Sequence, residues 1–145
     1  MQSERRIVSH NSIDDLVVTR TQLLSLYNEI ATHPPEVGDI AIPEKIQRFC
    51  ESLIDYTAAA HFQLYQYFDE NRERRKAVIE VAEKAFPKIS RCTDNILEFN
   101  DKYETLDALK DDGKIAALRD DLSYLGETLA DRIELEDQVI QAMAR

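Results

Sequence analysis

The sequence predicts an all-α protein: a four-helix bundle of long helices, the third kinked or broken near Pro87. Three observations carry this. Glycine occurs three times and proline four times in 145 residues, too few turn formers for a sandwich or barrel of many short strands. Apolar residues recur at gaps of three and four over long stretches, the spacing of one helix face. The few punctuating residues leave four segments of roughly 20 to 30 residues, or about 30 to 45 Å of helix each at ~1.5 Å per residue. A chain of this length makes one domain, residues 1–145.

Residues 1–11 read as an N-terminal tail. MQSERRIVSH has two arginines and no apolar run behind them, so no signal peptide is expected. Ser12 is a plausible N-cap for the first helix, with Asp14 and Asp15 in its first turn. Leu16, Val17, Leu23, Leu24, Tyr27 and Ile30 keep helical spacing, and His33-Pro34-Pro35 ends the run. Gly38 falls in the loop that follows. Pro43 opens the second helix in the favoured first turn. Its stripe is Ile46, Phe49, Cys50, Leu53, Tyr56, Ala60, Leu64 and Tyr67-Phe68, and Asp69-Glu70-Asn71 marks its end.

The third segment runs from about Glu73 to Tyr103 on Val78, Val81, Ala82, Ala85, Phe86, Ile89, Cys92, Ile96, Leu97 and Phe99. Pro87 inside it removes a backbone hydrogen bond and crowds the preceding turn, so a kink or two helices are expected near Phe86-Pro87. Leu106 and Leu109 suit a short helical turn, and Asp111-Asp112-Gly113 a reverse turn. The last helix runs from Lys114 nearly to Arg145. Its stripe is Ile115, Leu118, Leu122, Leu125, Leu129, Ile133, Glu136, Ile140 and Met143, with Gly126 placed to let a neighbour come close.

Composition excludes several functions. With 28 acidic and 18 basic residues the formal charge is −10, wrong for a general nucleic-acid binder, which needs a basic face for phosphates. It suits a basic protein partner. No stretch reaches the ~18 apolar residues of a membrane span. Cys50 and Cys92 stand 42 residues apart inside helical patterns, without a CxxC. They read as small buried hydrophobes in a reducing cytoplasm. No Glu precedes a His by three residues, as a di-iron bundle requires, and His10, His33 and His61 are scattered. There is no nucleophile elbow, P-loop or glycine-rich phosphate loop. No cofactor, metal or catalytic residue is expected, and the chain does not read as an enzyme.

The informative anomaly is polar residues on apolar stripes. Glu136 falls between Ile133 and Ile140, and Asp55 and His61 interrupt FCESLIDYTAAAHFQLY. Tyr65 lies four residues after His61, on its face. Buried acids and histidines need partners. A polar cluster inside the bundle or at its mouth is therefore expected, with Asp55, His61 and Tyr65 facing Glu136, joined by Arg132 or Asp137. It would serve as an internal network fixing helix register, as a binding pocket, or as a catalytic or metal site. Phe62 falls off the main stripe, as an interface anchor or second-layer packing. Charge is uneven as well: nine acids against four bases lie between Asp111 and Arg145, while Arg72, Arg74, Arg75 and Lys76 form a small basic cluster that reads as a solvated helix face, a cap for a bundle end or a contact for an acidic partner.

Three segments resemble the Rsd/AlgQ family, bacterial regulators of the primary sigma factor. Phe49, Cys50, Leu53, Ile54, Asp55, Tyr56, Ala59, His61, Phe62 and Tyr65 match its signature stretch. FPKISRCTDNILEFND, from Phe86 to Asp101, resembles the AlgQ-like members. Leu125-Gly126, Arg132 and Leu135-Glu136-Asp137 meet its Leu-Gly, Arg and Leu-Glu-Asp. The first helix matches more loosely, through Arg20, Leu23, Leu24 and Tyr27. Two departures are Leu16, where members carry Trp, and Ala58-Ala59-Ala60, where they often carry Ser and Gly.

The resemblance implies a cytoplasmic anti-sigma factor. It would bind region 4 of the primary sigma factor, block its contacts with the −35 promoter element and core RNA polymerase, and touch neither nucleic acid nor membrane. Asp55, His61, Tyr65 and Glu136 would shape or support the sigma-facing surface, with Phe62, Leu16 and Arg20 as further contacts. The alternative from the residues themselves is a ligand-sensing or other protein-binding bundle with a polar pocket around His61.

Overall fold

The computed structural model describes the backbone of residues 2–36, 38–104 and 112–145, and the side chains of 14–36, 38–104 and 114–145. Within these residues the chain forms four long helical rods and no strand. Helix α1 spans Gln2–Thr32. It begins ten residues before the expected Ser12 cap, so the backbone of residues 2–11 continues the helix. Neither Gly nor Pro stands between Gln2 and Ser12 to stop it. It ends where Pro34 forbids continuation.

Helix α2 spans Ile42–Ala60 with Pro43 in its first turn. It continues through a π-helical turn, His61–Tyr65, and one further α turn, Gln66–Asp69. Hydrophobic spacing did not foresee the π turn. Asn71 closes the rod at φ 57°. Its N–H donates to the Phe68 carbonyl and that of Arg72 to the Tyr67 carbonyl. This Schellman closure uses Asn in the left-handed position that Gly more often fills.

Helix α3 spans Lys76–Tyr103 as one helix, unbroken at Pro87. It starts three residues later than expected because the Glu73 carboxylate captures the N–H groups of Arg74 and Arg75 at 3.1 and 2.9 Å. Arg75 also pairs with Glu73 and donates to the Met143 carbonyl at 2.9 Å, capping the end of the last helix. Helix α4 spans Asp112–Ala144 and so takes in Asp112 and Gly113 of the expected turn. Leu106, Leu109 and Asp111 lie outside the described residues.

Contacts fix the arrangement. Tyr27 donates to the Leu122 carbonyl and Arg20 to Asp137, so α1 and α4 run antiparallel. Phe49 meets Phe99 and Phe68 meets Phe86, so α2 and α3 do as well. Lys102 pairs with Asp121, and Arg132 with Thr93, on α3 and α4. The α1–α2 contacts complete the ring. The core is a continuous cluster in which Leu16, Leu23 and Ile30 supply α1's buried stripe, while Val17 and Leu24 face solvent. Gly126 permits the close approach expected of it. A Cβ there would stand 2.1 Å from the Tyr27 hydroxyl oxygen.

Candidate functional site

On α4 the buried stripe runs Leu125, Leu129, Arg132, Glu136, Val139 and Met143, with Ile133 and Ile140 only half-buried. Two ionisable side chains therefore occupy core positions: Glu136 is 0% exposed and Arg132 3%. Each is held by other rods. The Tyr56 hydroxyl of α2 donates to Glu136 Oε1. Arg20 of α1 brings Nη1 to 3.9 Å from the same oxygen and donates to Asp137 Oδ1 at 2.9 Å. Arg132 donates through Nη1 to the Thr93 hydroxyl of α3, and its guanidinium lies 5.2 Å from the Tyr56 ring centroid. Its Nε stands 3.7 Å from Glu136 Oε2.

The network thus joins all four rods and balances two guanidinium groups against two carboxylates. Burial pushes the Glu136 carboxyl above its ordinary value; Arg132, the Tyr56 hydroxyl and Arg20 oppose that without cancelling it. Burial, with Glu136 beside it, raises the Tyr56 hydroxyl well above its ordinary value. Within this network two buried atoms, Arg132 Nε and Glu136 Oε2, have no hydrogen-bonding partner among the described protein groups; outside it the same holds for Gln63 Oε1.

Of the expected cluster, Glu136, Arg132 and Asp137 come together, and Arg20, expected only as a further contact for the partner, joins them. Asp55 does not: it is exposed on α2, one residue before Tyr56. The group facing Glu136 from α2 is Tyr56, which sequence reasoning counted as apolar stripe. Its signal was the hydroxyl, which needs a partner wherever a tyrosine is fully buried. Thr93 was missed too. Leu16 is wholly buried in the core, so it offers no contact surface.

His61 and Tyr65 are exposed and stack at 5.4 Å. Phe62 is 64% exposed, its ring 5.2 Å edge-on to His61. Tyr65 in turn meets Phe86 of α3 at 5.0 Å. These rings flank a groove of about 900 Å³ between α2 and α3, whose floor includes Arg132 and Glu136. His61 and Tyr65 therefore stand at the mouth of the cavity, above the buried pair. The π turn forms part of one wall and Pro87 part of the other. Single π turns recur at functional sites because they displace side chains from the regular helical register.

The profile of the family described as "Regulator of RNA polymerase sigma(70) subunit, Rsd/AlgQ" matches residues 1–144. The chain belongs to the Rsd/AlgQ family. Among curated relatives, a "Regulator of sigma D" of Yersinia enterocolitica (serotype O:8 / biotype 1B) is 30% identical over 136 residues, covering 92% of this chain and 80% of that protein. A "Regulator of sigma D" of Enterobacter sp. (strain 638) is 31% identical over 140 residues, covering 95% and 83%. No solved structure gives a significant match.

In this Rsd/AlgQ chain the groove is flanked by exposed aromatic side chains beside a buried ion pair. Cys50 is buried, its thiol pushed up to about 12 by burial, with Glu104 and Glu51 adding to the shift. That value leaves it inert as a nucleophile. Among the described residues no group of three or more His, Cys, Asp or Glu is placed to hold a metal ion. Nor is any helix long and apolar enough to cross a membrane.

Proposed function

We propose that this chain is a cytoplasmic anti-sigma factor that binds region 4 of the primary sigma factor one to one. By occupying that region it blocks contacts with the −35 promoter element and with core RNA polymerase, leaving core free for alternative sigma factors. It acts by occlusion, without catalysis. The observation that carries this reading is the family match across residues 1–144. The surface around the π turn supports it. Phe62 projects from α2 as an aromatic anchor, and central aromatic side chains commonly dominate interface energetics. Asp55 is exposed on the same rod and offers a carboxylate to a basic, DNA-reading partner. Arg20, Arg132, Glu136 and Asp137 hold the rods that present this surface.

Calorimetric titration of the purified chain with sigma region 4 at low salt tests the reading. A one-to-one complex is expected. Phe62→Ala should weaken it at least tenfold, about 1.4 kcal/mol, and Asp55→Ala and His61→Ala should weaken it with the melting temperature unchanged. Absence of binding by the unaltered chain at low salt would sink the proposal.

A further inference from the structure

We infer that the groove between α1 and α4 is a docking site for an amphipathic helix of another protein, one whose apolar face is flanked by lysine or arginine. The four rods form a ring, so this groove lies across the bundle from the π turn. The inference does not rest on sigma binding at that turn. The groove encloses about 680 Å³. Leu24 and Tyr27 of α1 and Leu129, Ala130 and Ile133 of α4 line it. Leu24 is 39% exposed, and Val17, seven residues earlier on the same face of α1, is 36% exposed. Along this face the two helices leave apolar side chains uncovered.

Charge selects the partner. Glu127, Asp131 and Glu134 are exposed and follow one another at gaps of four and three, so their carboxylates form one ridge of α4. Glu134 lines the groove itself. Burial and, after it, the Glu127 carboxylate raise the Tyr27 hydroxyl above its ordinary value, which places that carboxylate near the Gly126 end of the groove. None of the three has an ion pair among the described residues. Arg20 is the one cation among the described side chains of α1, and it is committed to Asp137 at 2.9 Å. On α4, Arg132 is buried and bonded to Thr93, Lys114 and Arg119 precede the groove, and Arg145 lies beyond it. A partner with cations along one flank of its apolar face supplies what this ridge lacks. A second copy of the chain, docking through the same face, would bring the same carboxylates and no free cation.

Backbone chemistry selects a helix. Both walls are helices, whose N–H and C=O groups are bonded within the rods. An extended peptide would leave its own backbone groups unpaired against them. A helix brings its bonds with it and sets its side chains between the two rods. The groove follows α4 from Gly126 to Gln141, about 22 Å or roughly 15 residues of helix.

The test titrates the full chain by calorimetry with peptides of about 18 residues, at about 0.15 M salt. One peptide has leucines at gaps of three and four and lysines along one flank. A second has glutamates in place of the lysines. A third scrambles the first so that its leucines surround the helix. The first should bind one to one, at least about tenfold tighter than either of the others. Ala130 is exposed on the groove wall, so Ala130→Trp should fill the groove and abolish binding with an unchanged melting temperature. Glu127→Lys with Glu134→Lys, a change confined to the surface, should transfer the preference to the glutamate peptide. Asp94→Lys with Glu98→Lys, at exposed positions of α3, should leave binding as it was. Phe62→Ala should also bind the lysine peptide as the unaltered chain does, which separates this site from the π turn. No saturable binding, equal binding of the scrambled peptide, binding that survives Ala130→Trp, α3 reversals that weaken binding as much as the α4 ones, or loss of binding with Phe62→Ala would each overturn the inference. So would a dimer of the unaltered chain, seen in sedimentation, that Ala130→Trp dissociates, since a second copy would then own the groove.

Discussion

At Glu136 a carboxylate with no exposed surface is held by a tyrosine hydroxyl and two guanidinium groups, yet its pKa is still raised, because burial outweighs the partners. The sign of the resulting pH dependence follows. The folded state keeps its proton to higher pH than the unfolded state, whose ordinary value is 4.5. Stability from the protonated group is full below that pH and is lost as pH rises through the folded value. Urea unfolding of wild type and Glu136→Gln across pH 4 to 8 should show the wild type losing ground to the variant as pH rises. A constant difference would mean that the ion pairs cancel the burial penalty. Gly126 gives a second residue-scale case. An Ala there gains about 1 kcal/mol in helix propensity but drives a Cβ to 2.8 Å from the Tyr27 ring carbon that bears the hydroxyl, and overpacking costs about 1–3 kcal/mol. Gly126→Ala should therefore destabilise wild type and stabilise a Tyr27→Ala background. A double-mutant cycle by chemical denaturation reads that change of sign.

Pro87 sits inside α3, which runs through it without a break. Proline has no N–H, so the Glu83 carbonyl one turn earlier cannot receive its usual helical bond. Pro87→Ala restores that donor on an exposed face and should stabilise the protein by about 2 kcal/mol, read by urea unfolding. No gain would mean that the rod has bent to suit the ring. The elements themselves were legible in the sequence wherever gaps of three and four were sustained: Ile46 to Leu64 on α2 and Val78 to Phe99 on α3 are buried much as their spacing implied. Boundaries were legible at hard stops such as Pro34-Pro35. They were not legible at Ser12, because a residue that favours an N-cap also sits inside a helix when nothing upstream breaks it. The π turn left no trace in the pattern, since one extra residue per turn shifts side chains without changing which residue types appear. In the site, Glu136 stood out as an acid on an apolar stripe. Its partner Tyr56 did not, because a tyrosine satisfies an apolar stripe and a hydrogen bond equally well. Asp55 was misplaced for the opposite reason. An acid next to a stripe looks like an interruption of it, but one residue is about 100° of rotation, enough to reach solvent.

Over the whole molecule, the charge of −10 divides into two populations. Glu136 is balanced inside the bundle by Arg20 and Arg132, the half-exposed Asp137 is paired with Arg20 at 2.9 Å, and Asp121 is paired with Lys102 at 2.7 Å. These contribute little field outside. Asp120, Glu127, Asp131 and Glu134 are exposed along α4 and do contribute. Charges of this kind, away from an interface, steer encounter more than they hold the complex. At about 10 mM salt the screening length is roughly 30 Å, comparable to the bundle, and at 0.15 M it is roughly 8 Å. Binding to a basic sigma region 4 should therefore weaken about tenfold over that range, mostly through slower association. Neutralising the four acids to Asn or Gln should slow association at low salt, flatten the salt dependence and leave dissociation nearly unchanged. Stopped-flow kinetics at several salt concentrations separates the two rates. If the variant instead dissociates faster with association intact, these α4 carboxylates touch the partner directly, and the contact surface extends beyond the π turn and Phe62 onto the last helix.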